Sequence, residues 1–528
     1  MKLFLSFTIL FLSLGLLVAA LHHAEDQFHY SQLTLPEAEF QQIKDSRSET
    51  DRELLDELTF NRYPSFADLP SSRRFYSVDP DDPDTDPAVG FSSPEKNTRL
   101  AFSGEISPGS NIPFIAYTDS EYKEYSIAIT TLPLVQIECE TTAFWRVPVP
   151  IKLTLFQNHK NALQPLIKSD GTIHVRGNTT NLLPKKPFRI SLTTNNIAGL
   201  INDNQQALLE LRKDGDWLLY PAYNDQEKIR NVFSSNLWFN SCSDNNSFNL
   251  KNGMEYRFIE LFLNQEYWGL YALGYPIDAK QMMIDPDNRG HFEEFIFKQI
   301  TWGPDAPNYP APDSFLALQF EAAPEDLRFG LSIMDQYFRY LKSGAPDGLS
   351  HNDENNAVDL WLFTILIQHI DSVYQQGKIN NIIYTIKSTD EGKKILYTPW
   401  DMDATWGNGL GMNHSVHLSP DNNSYEMTLN PVSMMLRNGS APEIAAKIRA
   451  RYAELRADGW SERAIDRMLD GFEQDIYGSG AYVRDMERWP DGSYQDPETG
   501  LSVFREYVHA RLKSLDSYIG SLSASSEN

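Results

Sequence analysis

The chain has 528 residues, 41% of them apolar and 12% aromatic, which suffices for a large core in one two-lobed unit or about two or three domains. Its net charge of -26 argues against nucleic acid as a partner, because binding a phosphate backbone relies on basic patches and counterion release. Basic or neutral proteins and metal cations are the partners this charge favours.

Lys2, the apolar run Leu3 to Val18 and the small residues Val18-Ala19-Ala20 read as a signal peptide over residues 1–20. The run is shorter than the ~20 residues a spanning helix needs. The expectation is an exported chain, secreted, periplasmic or cell-surface, with no stable membrane span after leader removal; an uncleaved anchor is the competing reading. Residues 21–106 are acidic and carry the run Asp79-Pro80-Asp81-Asp82-Pro83-Asp84-Thr85-Asp86-Pro87. This stretch is expected to be a largely disordered linker with one short helix near residues 46–58. Cys139 and Cys242 are the only cysteines; they could pair in an oxidising compartment or remain buried thiols.

From residue 107 to 275 the pattern is that of strands and turns, at residues 125–129, 132–137, 147–156, 172–180 and 184–192. In the last of these Phe188, Ile190 and Leu192 share a face, and the period-two count adds Lys186. A lysine on an apolar face needs an anion, so Lys186 either lies beyond the strand's core or points into a cleft. Arg176-Gly177-Asn178 fits a turn offering donors to phosphate and equally a plain hairpin connection. A helix is expected at 226–239. The run Tyr256 to Leu263 is apolar on both faces except for Arg257 and Glu260, and Glu260 is expected to pair with Lys186 or Arg176. Asn264-Gln265 then turns into a second strand at 267–273.

Residues 276–521 read as mainly helical, followed by a short tail at 522–528. The apolar helix at 357–370 ends at Asp371, a loop carries Asn380 and Asn381, and a hairpin of strands at 382–386 and 394–398 delivers Asp401 and Asp403. Side chains two apart on a strand share a face, so Asp401 and Asp403 are expected to grip one hard cation, the kind of site magnesium favours. Alone this spacing is weak, because Asp82/Asp84 and Asp214/Asp216 repeat it. The order of Asp371, Asn380/Asn381 and the Asp-x-Asp is that of protein-kinase-like sites. A metal-dependent hydrolase would want further ligands, and His369 and His414 show no ligand spacing.

Taken together, Arg176-Gly177-Asn178 with Pro184 to Arg189, Asp216-Trp217-Leu218-Leu219, Arg230-Asn231, Glu260 to Asn264 with Gly269-Leu270-Tyr271, and Pro399 to Asp403 resemble the CotH family of spore-coat-type atypical protein kinases. The resemblance runs from about residue 126 to about 521. It implies an α+β, two-lobed kinase-like fold with a β-rich N-terminal lobe and a mainly helical C-terminal lobe. It further implies a protein Ser/Thr kinase using ATP with Mg2+ or Mn2+ on protein substrates. Asp371 would be the catalytic aspartate, and Asp401, with Asp403 beside it, the metal ligand along with Asn380 or Asn381. Lys186 is the preferred phosphate contact, with Lys185 and Arg189 as substitutes, and Arg176 and Glu260 belong to the nucleotide side. A leader and acidic linker do not suit a protein made inside a sporulating cell, and ATP is scarce outside cells. An exported surface or coat protein that keeps the fold for binding or adhesion, with little or no transferase activity, is therefore the alternative function.

Overall fold

The computed structural model describes residues 28–60, 63–79, 86–141, 144–159, 162–163, 166–177, 180–195, 201–284, 294–299, 315–317, 324–343, 350–373, 381–408, 418–424, 430–437 and 442–522. The fold is α+β. The proposed leader, Asn178, Asn380 and His414 lie outside these residues.

The centre of the sheet region is the hairpin Tyr256–Leu263 and Glu266–Gly274, paired antiparallel with Ile259 opposite Tyr271. Asn264 and Gln265 turn it with φ of 50° and 61°, the left-handed pair that matches the twist of two strands. Leu134–Glu138 runs parallel to Tyr256–Leu263, and beyond it follow Val149–Phe156, Ile167–Val175, Phe188–Asn195 and Asp216–Tyr220. The last strand pairs with Glu266–Gly274 through Leu219 and Leu273. Hydrogen bonding thus passes through seven strands and returns to its start, which leaves this β region without a long open edge. Phe188, Ile190 and Leu192 are buried as their alternation requires.

A second set of elements packs on this ring in one continuous apolar core. Helix Arg230–Ser241 begins four residues later than expected, because Lys228 is left-handed (φ 67°) and the Asp225 carboxylate accepts from the Arg230 amide at 2.7 Å. Helix Glu354–Ile367 is buried from Asn356 to Ile367 and starts at Asp353, whose carboxylate accepts from the Asn356 amide. It stops at left-handed Gln368 (φ 50°). The expected hairpin is Ile382–Thr389 with Gly392–Pro399, joined to the strands Phe295–Gln299 and Phe315–Ala317. Helices Pro442–Ala457, Glu462–Glu473, Ala481–Arg488 and Ser502–Ser521 complete the packing.

The expectation of a largely disordered linker over residues 21–106 is corrected over its described part. Phe28–His29, Glu57–Phe60 and Ala88–Ser92 form one small sheet. Phe66–Asp68, Arg73–Ser77 and Arg99–Phe102 join Asn111–Tyr117 and Glu121–Thr130 in another. The helix falls at Glu37–Asp45 rather than 46–58. The physical reason is the aromatic residues: Phe60, Phe66, Phe75, Tyr76, Phe102 and Phe114 are buried in a core shared with Phe262 and Tyr267, while the described acidic side chains other than Asp68 are exposed or half-buried. Of the Asp-Pro run, residues 80–85 lie outside the described residues, and Asp86 accepts from the amide and hydroxyl of Ser31. Cys139 and Cys242 are both free thiols. No described helix is long and apolar enough to cross a membrane.

Candidate active site

The segment Trp400 to Asn408 leaves the end of strand Gly392–Pro399 and is held from several sides. The Trp400 amide donates to the Asn381 carbonyl at 2.8 Å and the Met402 amide to the Asn231 carboxamide oxygen at 2.9 Å. The Trp406 amide donates to the Ile367 carbonyl at 2.7 Å, and its indole to the Ser234 hydroxyl at 2.9 Å. Helices Arg230–Ser241 and Glu354–Ile367 therefore fix this loop. Strand geometry is not what groups the two carboxylates, because the strand ends at Pro399 and Asp401 is left-handed with φ 54°. A left-handed non-glycine residue costs on the order of 1 kcal/mol or more and persists where surrounding contacts over-determine it. The loop turns sharply at Asp401 and leaves its side chain exposed, with Asp403 half-buried behind it.

Asp371 stands on the short helix Ile370–Val373, directly after the capped end of Glu354–Ile367. The buried Asn381 joins the two acidic residues: its amide group donates to the Asp371 carboxylate at 2.5 Å and to the Asp401 carbonyl at 3.3 Å. Its own left-handed backbone (φ 56°) makes that reach possible. Asp403 has its carboxyl pushed well above the usual range, first by burial and then by the charges of Asp401 and Asp371. Neither Asp401 nor Asp403 makes an ion pair among the described residues. This is a place with surplus negative charge.

Two cations approach from the sheets. The Arg176 guanidinium lies 5.3 Å from the Trp400 ring centroid and the Lys298 ammonium 5.1 Å from the same ring. Lys298 comes from strand Phe295–Gln299, opposite Ile383. Burial pushes its ammonium down, with Asp401 and Asp371 pulling it back up and Arg176 adding to the depression.

The other expected nucleotide-side residues are placed differently. The half-buried Lys186 ammonium donates to the Asn181 carbonyl at 2.7 Å. Its neighbour Lys185 is fully buried, paired with Asp485 at 2.7 Å and donating to the Leu270 carbonyl. Arg189 pairs with Asp216 at 2.9 Å. Glu260 does not pair with Lys186 or Arg176: its partner is Arg484, and Thr130 donates to the same oxygen at 3.3 Å. Sequence reasoning missed Lys298 and Arg484, and gave Asn231 no role of its own. A lysine following Phe295-Ile296-Phe297 in an apolar strand was the available signal for Lys298.

Among the described residues no group of three or more His, Cys, Asp and Glu side chains is placed to hold a metal ion unaided. The donor set nevertheless suits magnesium, which takes one or two carboxylates and fills its shell with water and substrate phosphate. Asp401 and Asp403 would be such carboxylates and Asn381 would add a neutral oxygen; the Asp403 carboxyl, raised first by burial and then by the charges of Asp401 and Asp371, has a repulsive contribution that a divalent cation would relieve.

No curated protein matches the chain. The family model described as CotH kinase protein matches residues 173–288 and 351–515, more than half of the chain. The matched blocks contain Arg176, Lys186, Asn231, Glu260, Asp371, Asn381, Asp401 and Asp403, whereas Lys298 falls between them. With that match over the residues that build the acidic loop, the chain belongs to the CotH kinase family.

Proposed function

We propose that the chain is an exported atypical protein kinase that transfers the γ-phosphoryl group of ATP to Ser or Thr of a protein, within a two-lobed kinase-like architecture. The observation that carries this reading is the Asn381 amide, which holds the Asp371 carboxylate and the backbone of Asp401 in one hydrogen-bonded unit. Asp371 accepts the proton of the attacking hydroxyl and aligns its oxygen with the phosphorus. Asp401, Asp403 and the Asn381 carboxamide oxygen would hold a magnesium or manganese ion, which supplies charge neutralisation for the transferred group. Arg176, over the Trp400 ring, would contact the phosphates. The stretch around Asn231 fixes the Met402 amide and hence the aim of the flanking carboxylates. Most of the catalytic work in such a site is positioning and electrostatics.

The test is phosphate incorporation from labelled ATP into the chain itself and into a generic basic protein, with magnesium or manganese, for the wild type, Asp371→Ala and Asp401→Ala. Incorporation by the wild type and its loss in both variants supports the kinase. No incorporation, together with no nucleotide binding, favours a surface protein that uses the fold for binding alone.

A further inference from the structure

Lys186 is the lysine that the family resemblance puts forward for the nucleotide phosphates, yet its ammonium donates to the Asn181 carbonyl at 2.7 Å. Lys185 is committed to Asp485 in the core. The cations placed over Trp400, next to the acidic loop, are instead Arg176 and a lysine from outside both family-matched blocks.

Lys298 has the placement such a residue needs. Strand Phe295–Gln299 pairs with Ile382–Thr389, the strand that follows Asn381, so a rigid sheet register sets Lys298 beside the residues that frame the acidic loop. Its neighbours Phe295, Ile296 and Phe297 are buried and anchor the strand. Its ammonium and the Arg176 guanidinium share the Trp400 ring at 5.1 and 5.3 Å. Two positive groups held on one indole repel each other, and a cation–π contact contributes only about 0.5–2 kcal/mol to each. Among the described residues the Lys298 ammonium has no hydrogen bond and no ion pair. This half-buried ammonium, next to a second cation, feels the charges of Asp401 and Asp371 but is paired with neither, so it has no anion in direct contact. The chain's own carboxylates there are the ones a metal would occupy.

We propose that Lys298 and Arg176 form a two-pronged clamp on the β- and γ-phosphates of the bound nucleotide, with Trp400 as the spacer between them and Lys298 in the role otherwise given to Lys186. This rests on the kinase reading and adds a residue to it. The two cations grip non-bridging phosphate oxygens that the metal leaves open, and they disperse charge as the γ-phosphoryl group departs.

The test is calorimetric titration of the full chain with ATP and with AMP, both with magnesium, for the wild type, Lys298→Met, Lys298→Arg and Lys186→Met, with the melting temperature of each variant measured alongside. The clamp predicts that Lys298→Met weakens ATP about tenfold or more, leaves AMP unchanged, and melts with the wild type. Lys298→Arg keeps the preference for ATP. A merely structural lysine would move the melting temperature or both nucleotides together. Equal ATP affinity in Lys298→Met and the wild type overturns the clamp while leaving the kinase reading intact, and so does a loss confined to Lys186→Met. A wild-type chain that binds neither nucleotide overturns the kinase reading and the clamp with it.

Discussion

Two charged regions of this molecule use the same residue types to opposite ends. In the β core, Lys185 meets Asp485 and Arg484 meets Glu260, all four side chains almost fully buried and each cation matched to one carboxylate. Around Trp400, Asp401 and Asp403 repel each other without an ion pair among the described residues, and Arg176 and Lys298 both lie over that one ring. Matched charges fix a fold, because breaking one leaves a buried charge uncompensated. Like charges grouped without matched partners are what the proposed ligands would compensate, a cation at the carboxylates and an anion at the cations.

Removing a carboxylate from the acidic group should cost activity and leave the fold intact. Asp371→Ala should lower phosphoryl transfer by about 10²–10⁴-fold while keeping nucleotide binding and the melting temperature, as measured by labelled-ATP assay and calorimetry. Removing a partner from the matched region should do the reverse. Arg484→Met leaves Glu260 buried and unpaired, and should destabilise the chain by about 3–5 kcal/mol in urea unfolding; an unchanged midpoint would mean that this pair is not structural. Between the two regions stands Asn231, which is buried and accepts from the Met402 amide. Asn231→Ala should lower stability by about 1–3 kcal/mol and slow transfer more than it weakens ATP, since it disturbs aim rather than contact.

A smaller effect is predicted at a half-buried carboxylate that makes no ion pair among the described residues. Asp475, on the turn Gln474–Gly478, has its carboxyl pushed up to about 6 by burial, with only the charge of Arg257 opposing. Below pH 4 both folded and unfolded states are protonated there and the residue costs nothing. As pH rises from about 4 to 6 the unfolded chain ionises first, so stability falls, and above 6 the cost is constant. Asp475→Asn should therefore melt higher than the wild type at pH 7 and converge with it at pH 4. A difference that persists at pH 4 would assign the effect to packing.

Much of the site was legible in the sequence because it follows local order. The end of an apolar helix at Asp371, the hairpin and the Asp-x-Asp loop are consecutive, and the turn residues Asn264 and Gln265 announced the central hairpin. What was not legible depends on contacts far apart in the chain. Lys185 and Lys186 are adjacent and alike, and only the presence of Asp485, 300 residues away, decides which of them is buried. Glu260 was correctly read as a buried charge in need of a partner, but Arg484 lies on a helix that no strand period could bring to it. The strands at the N-terminal end were missed because acidic composition masked short apolar alternations whose core is completed by Phe262 and Tyr267.

Whether the carboxylates around Trp400 hold a metal with a nucleotide is decided by calorimetric titration of ATP, with and without magnesium, into the wild-type chain and Asp401→Ala. Binding by the wild type that requires magnesium, and its loss in Asp401→Ala at an unchanged melting temperature, is the predicted result. Equal magnesium-dependent binding in the two chains would contradict it.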